Sequence, residues 1–168
     1  MKLTARAIVI DGDDVDTDVL YPGRFLNITT VESMTAHLFD GLDPALRDQL
    51  GGDTALVVGS NFGAGSSREH VPQAMRASGI RFLVGRSFAR IFSRNAVNLG
   101  LPTVACPDAV AAARAGSTLE LDLAGGKVTV DGASFAATPY PPFMLELVKA
   151  GGLEQWTRGH LDATTGVV

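Results

Sequence analysis

Cysteine is nearly absent from this chain: of its 168 residues, only Cys106 carries a thiol. A single cysteine cannot form an internal disulfide, and it cannot supply the several thiolates that hold an iron–sulfur cluster. The three histidines, His37, His70 and His160, lie far apart and match no His-based metal spacing. The sequence therefore predicts no metal site built by this chain alone, and it predicts Cys106 to be a small buried apolar residue.

Long apolar runs are also missing, since no stretch approaches the roughly 18 residues of a membrane-spanning helix. The first residues lead directly into a strand-like pattern, so we expect no signal peptide. The 14 basic and 18 acidic residues give a net charge of −4, which argues against nucleic acid or an anionic membrane as partner. We expect a single cytoplasmic domain over residues 1–168, ending in a loose tail at 163–168.

Acidic residues are absent from the middle of the chain. Between His70 and Pro107 there is no aspartate or glutamate, but there are five arginines: Arg76, Arg81, Arg86, Arg90 and Arg94. This excess of positive charge in an acidic protein predicts a local field that attracts anions. The alternative is a solvated helix face whose arginines pair with acids from other segments.

Strand-like and helix-like segments alternate through the centre of the chain. Apolar runs predict buried strands at 5–10, 54–59, 81–85 and 102–105. Helical patterns follow them at 71–79, 88–99 and 107–115. The repetition predicts an α/β fold with a parallel or mixed sheet covered by helices. Alternating residues on either side of Ala124-Gly125-Gly126 then predict a C-terminal β-hairpin, and Pro141-Pro142 opens a last helix.

Three polar residues stand where helix caps are expected. Thr29 precedes Glu32 by three residues, which is the spacing of a capping box for a short helix. Ser87 is placed to cap the helix that follows the third strand. Asp43, followed by Pro44, predicts a further helical turn.

The segment with the clearest chemical pattern is Asn-Phe-Gly-Ala-Gly-Ser-Ser-Arg-Glu-His at 61–70, between a predicted strand and a predicted helix. Glycines permit tight turns with positive φ, and amides at a helix start attract anions. Beside such amides, the hydroxyls of Ser66 and Ser67 and the guanidinium of Arg68 form a receptor for a carboxylate or a phosphate. The segment lacks the Gly-Lys-Ser/Thr of a P-loop and the glycine spacing of a Rossmann fingerprint.

Spacing alone allows a second interpretation of the same segment. Ser66 and Glu69 also form a capping box, so Ser66 could serve only as a helix cap. Pro72 suits the start of a helix but not its interior. If the regular helix begins near Val71, residues 66–70 are irregular backbone open to a ligand. Both interpretations remain open from the sequence.

Alternating acids mark a second segment, Asp14-Val15-Asp16-Thr17-Asp18. Such acids can bind a hard metal, but Val19 stands where a calcium loop has its glycine, and the distal glutamate is absent. We expect Asx-turns on a solvated loop there. The segment 87–95 predicts a helix with an aromatic core face and with Arg90 and Arg94 exposed.

Four segments together resemble the family of 3-isopropylmalate dehydratase small subunits, which is similar to the mobile C-terminal domain of aconitase. They lie at 12–19, 61–70, 87–102 and 142–146, in the family's order, and the resemblance covers nearly the whole chain. It implies a swivelling β/β/α domain that closes over a large aconitase-like subunit carrying a [4Fe–4S] cluster. It implies a hydro-lyase of leucine biosynthesis that isomerises 2- and 3-isopropylmalate by dehydration and rehydration.

The resemblance also implies site residues. It makes Ser66 the base that removes the carbon-bound proton, Ser67 and Arg68 the binders of substrate carboxylate, and Asp18 a member of the active-site network. Several relatives have Tyr-Leu-Arg in a loop that senses the substrate side chain. Here the corresponding loop reads Phe25-Leu26-Asn27-Ile28 after Arg24, so we expect Arg24, Asn27 and Ile28 to contact substrate.

Three alternatives stay open, one of which is a purely structural partner of an iron–sulfur protein. Related dehydratases act on homoaconitate, citraconate/methylmalate or dimethylmalate, and one apolar contact in a pocket separates such substrates by only about 1–3 kcal/mol. The same glycine-rich turn would also serve a non-catalytic module that binds dicarboxylates.

Overall fold

The structure, a computed structural model, describes residues 1–66 and 68–165, with side chains up to residue 161. In that range one sheet contains β1 (Lys2–Ile10), β2 (Thr54–Val58), β3 (Ile80–Gly85), β4 (Thr103–Ala105), β5 (Thr118–Asp122), β6 (Lys127–Val130) and β7 (Ala133–Ala136). The helices are α1 (Thr17–Leu20), α2 (Val31–Thr35), α3 (His70–Ala77), α4 (Arg90–Asn98), α5 (Pro107–Ala112), α6 (Pro142–Ala150) and α7 (Leu153–Thr165), and Gly23–Phe25 and Pro44–Gln49 form 3-10 turns.

The sheet is mixed, which confirms the predicted α/β class. Its strand order is β4-β3-β2-β1-β5-β6-β7. Strands β1 to β4 are parallel, whereas β5, β6 and β7 are antiparallel to their neighbours. The carboxyl ends of β1, β2 and β3 therefore lie at one edge of the sheet, and ligands of open α/β sheets bind at such an edge.

Apolar residues cover both faces of the parallel strands, which is why these strands read as continuous apolar runs. On the first face, Ile8 and Leu56 pack with the buried sides of α2, α3 and α4. On the second face, Ala7 and Val57 pack with α5 and α6. Cys106 belongs to this second core and is 2% exposed, which confirms it as a buried apolar residue.

Two of the three predicted caps are wrong. Helix α2 begins after Thr30 rather than Thr29, and Thr30 makes no side-chain capping bond. Helix α4 begins at Arg90 after Ala89, and the Ser87 hydroxyl accepts the Asn61 amide instead of capping the helix. The helical turn at Asp43 is confirmed, since the Asp43 carboxylate accepts a hydrogen bond from the amide two residues later at 3.0 Å.

The C-terminal region holds two elements beyond the predicted hairpin and helix. Strand β7 follows a tight turn at Asp131 and Gly132, whose φ angles of 47° and 91° suit a two-residue hairpin. Helix α7 includes residues 163–165 of the predicted tail, and residues 166–168 lie outside the described residues. In the described part of the chain, no helix combines the length and apolar character needed to cross a membrane.

Candidate active site

The loops that follow β1, β2 and β3 are tied together at the carboxyl edge of the sheet. The Asp13 carboxylate accepts the Ser60 amide at 2.6 Å, and this bond lowers the pKa of Asp13 below its usual value. The side-chain amide of Asn61 donates to Asp14 at 2.8 Å, while its backbone amide donates to the Ser87 hydroxyl at 2.8 Å. The carboxylates of the loop after β1 thus hold the Ser60 backbone amide and the Asn61 side chain in place.

Two glycines let the loop after β2 approach its neighbours closely. Gly63 has φ +81°, and a Cβ added there would lie 2.2 Å from the Phe92 ring. Gly65 has φ +93°, and a Cβ there would lie 2.3 Å from a carboxylate oxygen of Asp16. Only a residue without a side chain fits these positions, so the glycines set the path of the chain into Ser66.

This close approach predicts a large cost for Gly63→Ala. The added methyl meets Phe92 in a packed core and also forces a positive φ on alanine, so we expect the free energy of unfolding to fall by about 2–4 kcal/mol. Gly132→Ala is the matched control, because Gly132 has φ +91° but nothing within 4 Å of an added Cβ. Urea unfolding of both variants measures the difference, and equal losses would contradict the contact with Phe92.

The structure rejects the interpretation of Ser66 as a helix cap. Helix α3 begins at His70, and Glu69 in the cap position makes no side-chain bond. The Ser66 hydroxyl is exposed and accepts a hydrogen bond from Nε of Arg68 at 2.8 Å. Its carbonyl accepts the Thr17 hydroxyl at 3.1 Å. Ser66 therefore stands on irregular backbone, held from both sides, while Ser67 lies outside the described residues.

Arg68 connects the glycine-rich loop to the loop after β1. Its Nη1 donates to Asp18 at 2.5 Å and to the Tyr21 carbonyl at 3.3 Å. The Asp18 carboxylate also accepts the Gly23 amide at 2.8 Å. The Arg68 hydrogen bond, followed by that of Gly23, lowers the pKa of Asp18. Asp18 therefore stays ionised down to acidic pH, and the ion pair weakens only as the pH falls through that lowered pKa.

Arg68 still has capacity to bind a ligand. Its Nε and Nη1 are occupied, but among the described residues its Nη2 has no hydrogen-bond partner. The Arg68 side chain is 19% exposed, against 61% for Asp18. A guanidinium that is held in place and keeps hydrogen-bonding capacity is suited to bind a carboxylate.

The residues expected to sense the substrate side chain occupy the 3-10 turn after α1 and the residues that follow it. The Arg24 guanidinium lies 4.6 Å from the centre of the Phe25 ring, and its charge contributes to the lowered pKa of Asp18. Asn27 is exposed. Ile28 is half-buried and packs partly against the first core. The loop therefore lies beside Asp18, and of these three residues Arg24 and Asn27 are exposed.

Sequence reasoning missed two residues that hold this arrangement. Thr17 is 1% exposed and binds the glycine-rich loop twice, through its hydroxyl to Ser66 and through its amide to the Ala64 carbonyl at 2.8 Å. Tyr21 is fully buried and its carbonyl receives Arg68. Thr17 lies inside a segment that the sequence singled out, but nothing in the sequence shows that its hydroxyl is buried.

The residues of this chain do not fit an iron–sulfur cluster. Its one thiol lies in the second core, where Sγ of Cys106 is 3.4 Å from the Ala136 carbonyl. The described residues contain no group of three or more His, Cys, Asp or Glu that could hold a metal ion. What the edge of the sheet offers is a hydroxyl beside a guanidinium, which is suited to an anionic ligand with a transferable proton.

Small subunits of dehydratases are among the known proteins to which this chain is similar. A sequence model of the aconitase C-terminal domain matches residues 43–109. The chain is 40% identical over 161 residues to the 3-isopropylmalate dehydratase small subunit of Halothermothrix orenii, covering 95% of this chain and 97% of that protein. It is 44% identical over 144 residues to the 2,3-dimethylmalate dehydratase small subunit of Eubacterium barkeri, covering 84% and 88%.

The fold agrees with these relatives. A crystal structure of 3-isopropylmalate dehydratase from Methanocaldococcus jannaschii superposes with a TM-score of 0.87 at 32% identity, covering 99% of this chain and 100% of that one. The predicted swivel-domain fold is thereby confirmed.

Proposed function

The chain belongs to the family of 3-isopropylmalate dehydratase small subunits, and from this we propose that it interconverts 2- and 3-isopropylmalate together with a large subunit, in leucine biosynthesis. It is the small subunit of a hydro-lyase of this type. The observation that carries the proposal is the Ser66 hydroxyl, which is exposed at the carboxyl edge of the sheet and hydrogen-bonded to Arg68. Such a group supports removal of a carbon-bound proton from a carboxylate substrate. Membership of an enzyme family argues against the alternative of a non-catalytic binding module.

The proposal places the [4Fe–4S] cluster on an aconitase-like large subunit, because the single buried cysteine of this chain cannot hold it. When bound there, the cluster supplies a Lewis acid. The exposed carboxyl edge of the sheet then closes over the partner. This chain contributes the groups that bind the substrate carboxylate and the base that removes the carbon-bound proton.

In this proposal Ser66 is the base. A serine hydroxyl is a very weak base unless its alkoxide is stabilised by nearby cations and amides. The Nε–H of Arg68, 2.8 Å from the Ser66 oxygen, supplies that stabilisation. Asp18 remains ionised and holds Nη1 of the same guanidinium, so it keeps Arg68 oriented toward Ser66. In this scheme Asp18 is a positioning residue, because it contributes by holding Arg68 in its orientation.

The remaining residues bind the substrate. We assign one substrate carboxylate to Nη2 of Arg68, together with the hydroxyl of Ser67. Arg24, Asn27 and Ile28 would then face the distinguishing side chain, since their loop lies beside Asp18. Ile28 gives this loop an apolar contribution that suits a branched alkyl group.

A second substrate is favoured by one specific observation. The 2,3-dimethylmalate dehydratase small subunit of Eubacterium barkeri is as similar to this chain as several 3-isopropylmalate relatives are. Both substrates are dicarboxylates with a branched apolar part, so the same Arg68 contact serves either. The enzyme would distinguish the two substrates by their carbon skeletons alone.

The test is anaerobic co-expression of this chain with its large subunit, followed by purification, iron determination and measurement of alkene formation. Isopropylmalate, dimethylmalate, citramalate and homocitrate are compared as substrates. We expect turnover only in the iron-containing complex, with isopropylmalate preferred. Preference for dimethylmalate would support the second candidate, and no turnover with any of the four would contradict the proposal.

Thr17 gives a prediction for a positioning residue. Thr17→Val keeps the buried shape but removes the donor to the Ser66 carbonyl, so we expect kcat to fall about tenfold with little change in KM. Thr17→Ser retains the hydroxyl and should restore most of kcat. Steady-state kinetics of the assembled complexes measure both, and a Thr17→Ser variant as impaired as Thr17→Val would contradict the hydrogen-bond role.

A further inference from the structure

We infer that the exposed face at the start of α4 is a surface on which the large subunit docks. This face consists of Ile91 with Arg90 and Arg94, and it fits a partner surface that presents an apolar depression with acidic residues around it. The inference rests on the proposed function, because it takes the large subunit as the occupant. It adds where on this chain that subunit binds.

The arginines of this face are uncompensated. Six other arginines are occupied: Arg47, Arg68, Arg81 and Arg158 form ion pairs, and Arg76 and Arg114 donate to backbone carbonyls. Among the described residues, Arg6 and Arg24 share the lack of an ion pair but lie outside α4. Within the described residues, Arg90 and Arg94 have neither an ion pair nor a side-chain hydrogen bond. A positive face on an acidic protein attracts an acidic partner surface.

An apolar side chain lies among these charges. Ile91 is 52% exposed, although the next residue of the helix, Phe92, is 3% exposed. Beyond Arg94, the surface continues into a groove of about 360 Å³ between α4 and α6, and Phe143 on the groove's far wall is 51% exposed. Apolar side chains surrounded by charged ones are typical of protein–protein interfaces, where the centre is apolar and the rim polar.

The face adjoins the edge that the partner must cover. Helix α4 starts directly beside the glycine-rich loop, since the Ala89 amide donates to the Phe62 carbonyl at 2.9 Å. The Phe62 and Phe92 rings are in edge contact at 5.5 Å between their centres. A large subunit that brings its cluster to Ser66 therefore arrives near the start of α4, where Arg90 and Ile91 are exposed.

The experiment measures the affinity between purified large subunit and variants of this chain, anaerobically, at low and high salt. We expect Ile91→Asp to raise Kd at least about tenfold. We expect the double variant Arg90→Glu/Arg94→Glu to raise Kd about tenfold at low salt and to weaken the salt dependence. Leu153→Asp, at a 40% exposed apolar residue of α7, and Arg6→Glu, at an exposed arginine of β1, are matched controls expected to change Kd less than threefold.

The outcomes separate the two proposals. Turnover of the face variants should return to within twofold of wild type when the large subunit is saturating, because these residues bind the partner rather than the substrate. If wild type binds and the face variants bind equally well, the docking inference is wrong and the proposed function stands. If wild type does not bind the large subunit, the proposed function itself fails. A raised KM at saturating partner with unchanged Kd would instead assign the arginines to substrate attraction and overturn the inference.

Discussion

Ser66→Ala is expected to lower kcat of the assembled enzyme by about 10²–10⁴-fold, the range for loss of a positioned proton-transfer group. The substitution removes the hydroxyl oxygen that accepts a hydrogen bond from Nε of Arg68 at 2.8 Å, and alanine has no group that could replace it. We expect KM to change less than about threefold, because the guanidinium that binds substrate remains. Steady-state alkene formation by the anaerobic complex measures both constants.

The fold should tolerate this change, which allows kcat to be interpreted. Ser66 is exposed and caps no helix, so we expect the free energy of unfolding to change by less than about 1 kcal/mol. Ser134→Ala is the control, since it removes an exposed hydroxyl from β7. That hydroxyl is hydrogen-bonded to the hydroxyl of Thr129. Near-normal kcat in Ser66→Ala, with the complex intact, would rule out Ser66 as the base.

Arg68→Lys is expected to raise KM about 10- to 100-fold, which corresponds to about 1.4–2.7 kcal/mol and is typical of a charge-assisted hydrogen bond that is lost. An ammonium keeps the charge, but it cannot hold Ser66, Asp18 and a substrate carboxylate at the same time in the fork geometry of a guanidinium. We also expect kcat to fall, because the Ser66 oxygen loses its cationic neighbour. The initial-rate dependence on substrate concentration measures the two effects.

Arg47→Lys is the matched control for this substitution. Arg47 is also a partly buried arginine that binds one carboxylate, that of Asp40, and one backbone carbonyl, that of Leu38. It lies in the 3-10 turn Pro44–Gln49 and has no contact with Ser66. We expect Arg47→Lys to lower stability modestly and to leave KM unchanged. A KM that is the same in Arg68→Lys as in wild type would contradict the carboxylate contact.

The strands of the parallel half were predictable because burial on both faces demands apolar runs such as Ala-Leu-Val-Val at 55–58. Helix caps were less predictable, because a polar side chain has alternatives that only the tertiary structure reveals. Ser87 is the example: its hydroxyl accepts the Asn61 amide from another loop instead of capping α4. Strand β7 was missed although the Asp131-Gly132 turn before it is a hairpin signal.

The candidate site could be located from the sequence but not assembled from it. The spacing of 61–70 predicted an anion receptor and left Ser66 open between cap and functional group. Two partners of Arg68, Asp18 and the Tyr21 carbonyl, lie about fifty residues away, and no local pattern connects them to Arg68. Thr17 was missed for the same reason, since its value lies in a hydrogen bond across 49 residues to the Ser66 carbonyl.

The central claim is that this chain supplies the base of a shared active site, and proton exchange tests it most directly. Substrate deuterated at the carbon that loses its proton is incubated with the complex, and loss of deuterium to water is followed alongside alkene formation. The account predicts deuterium loss with wild type and none above background with Ser66→Ala, although the variant still binds partner and substrate. Deuterium loss at the wild-type rate from the Ser66→Ala complex would contradict the account and place the base on the large subunit.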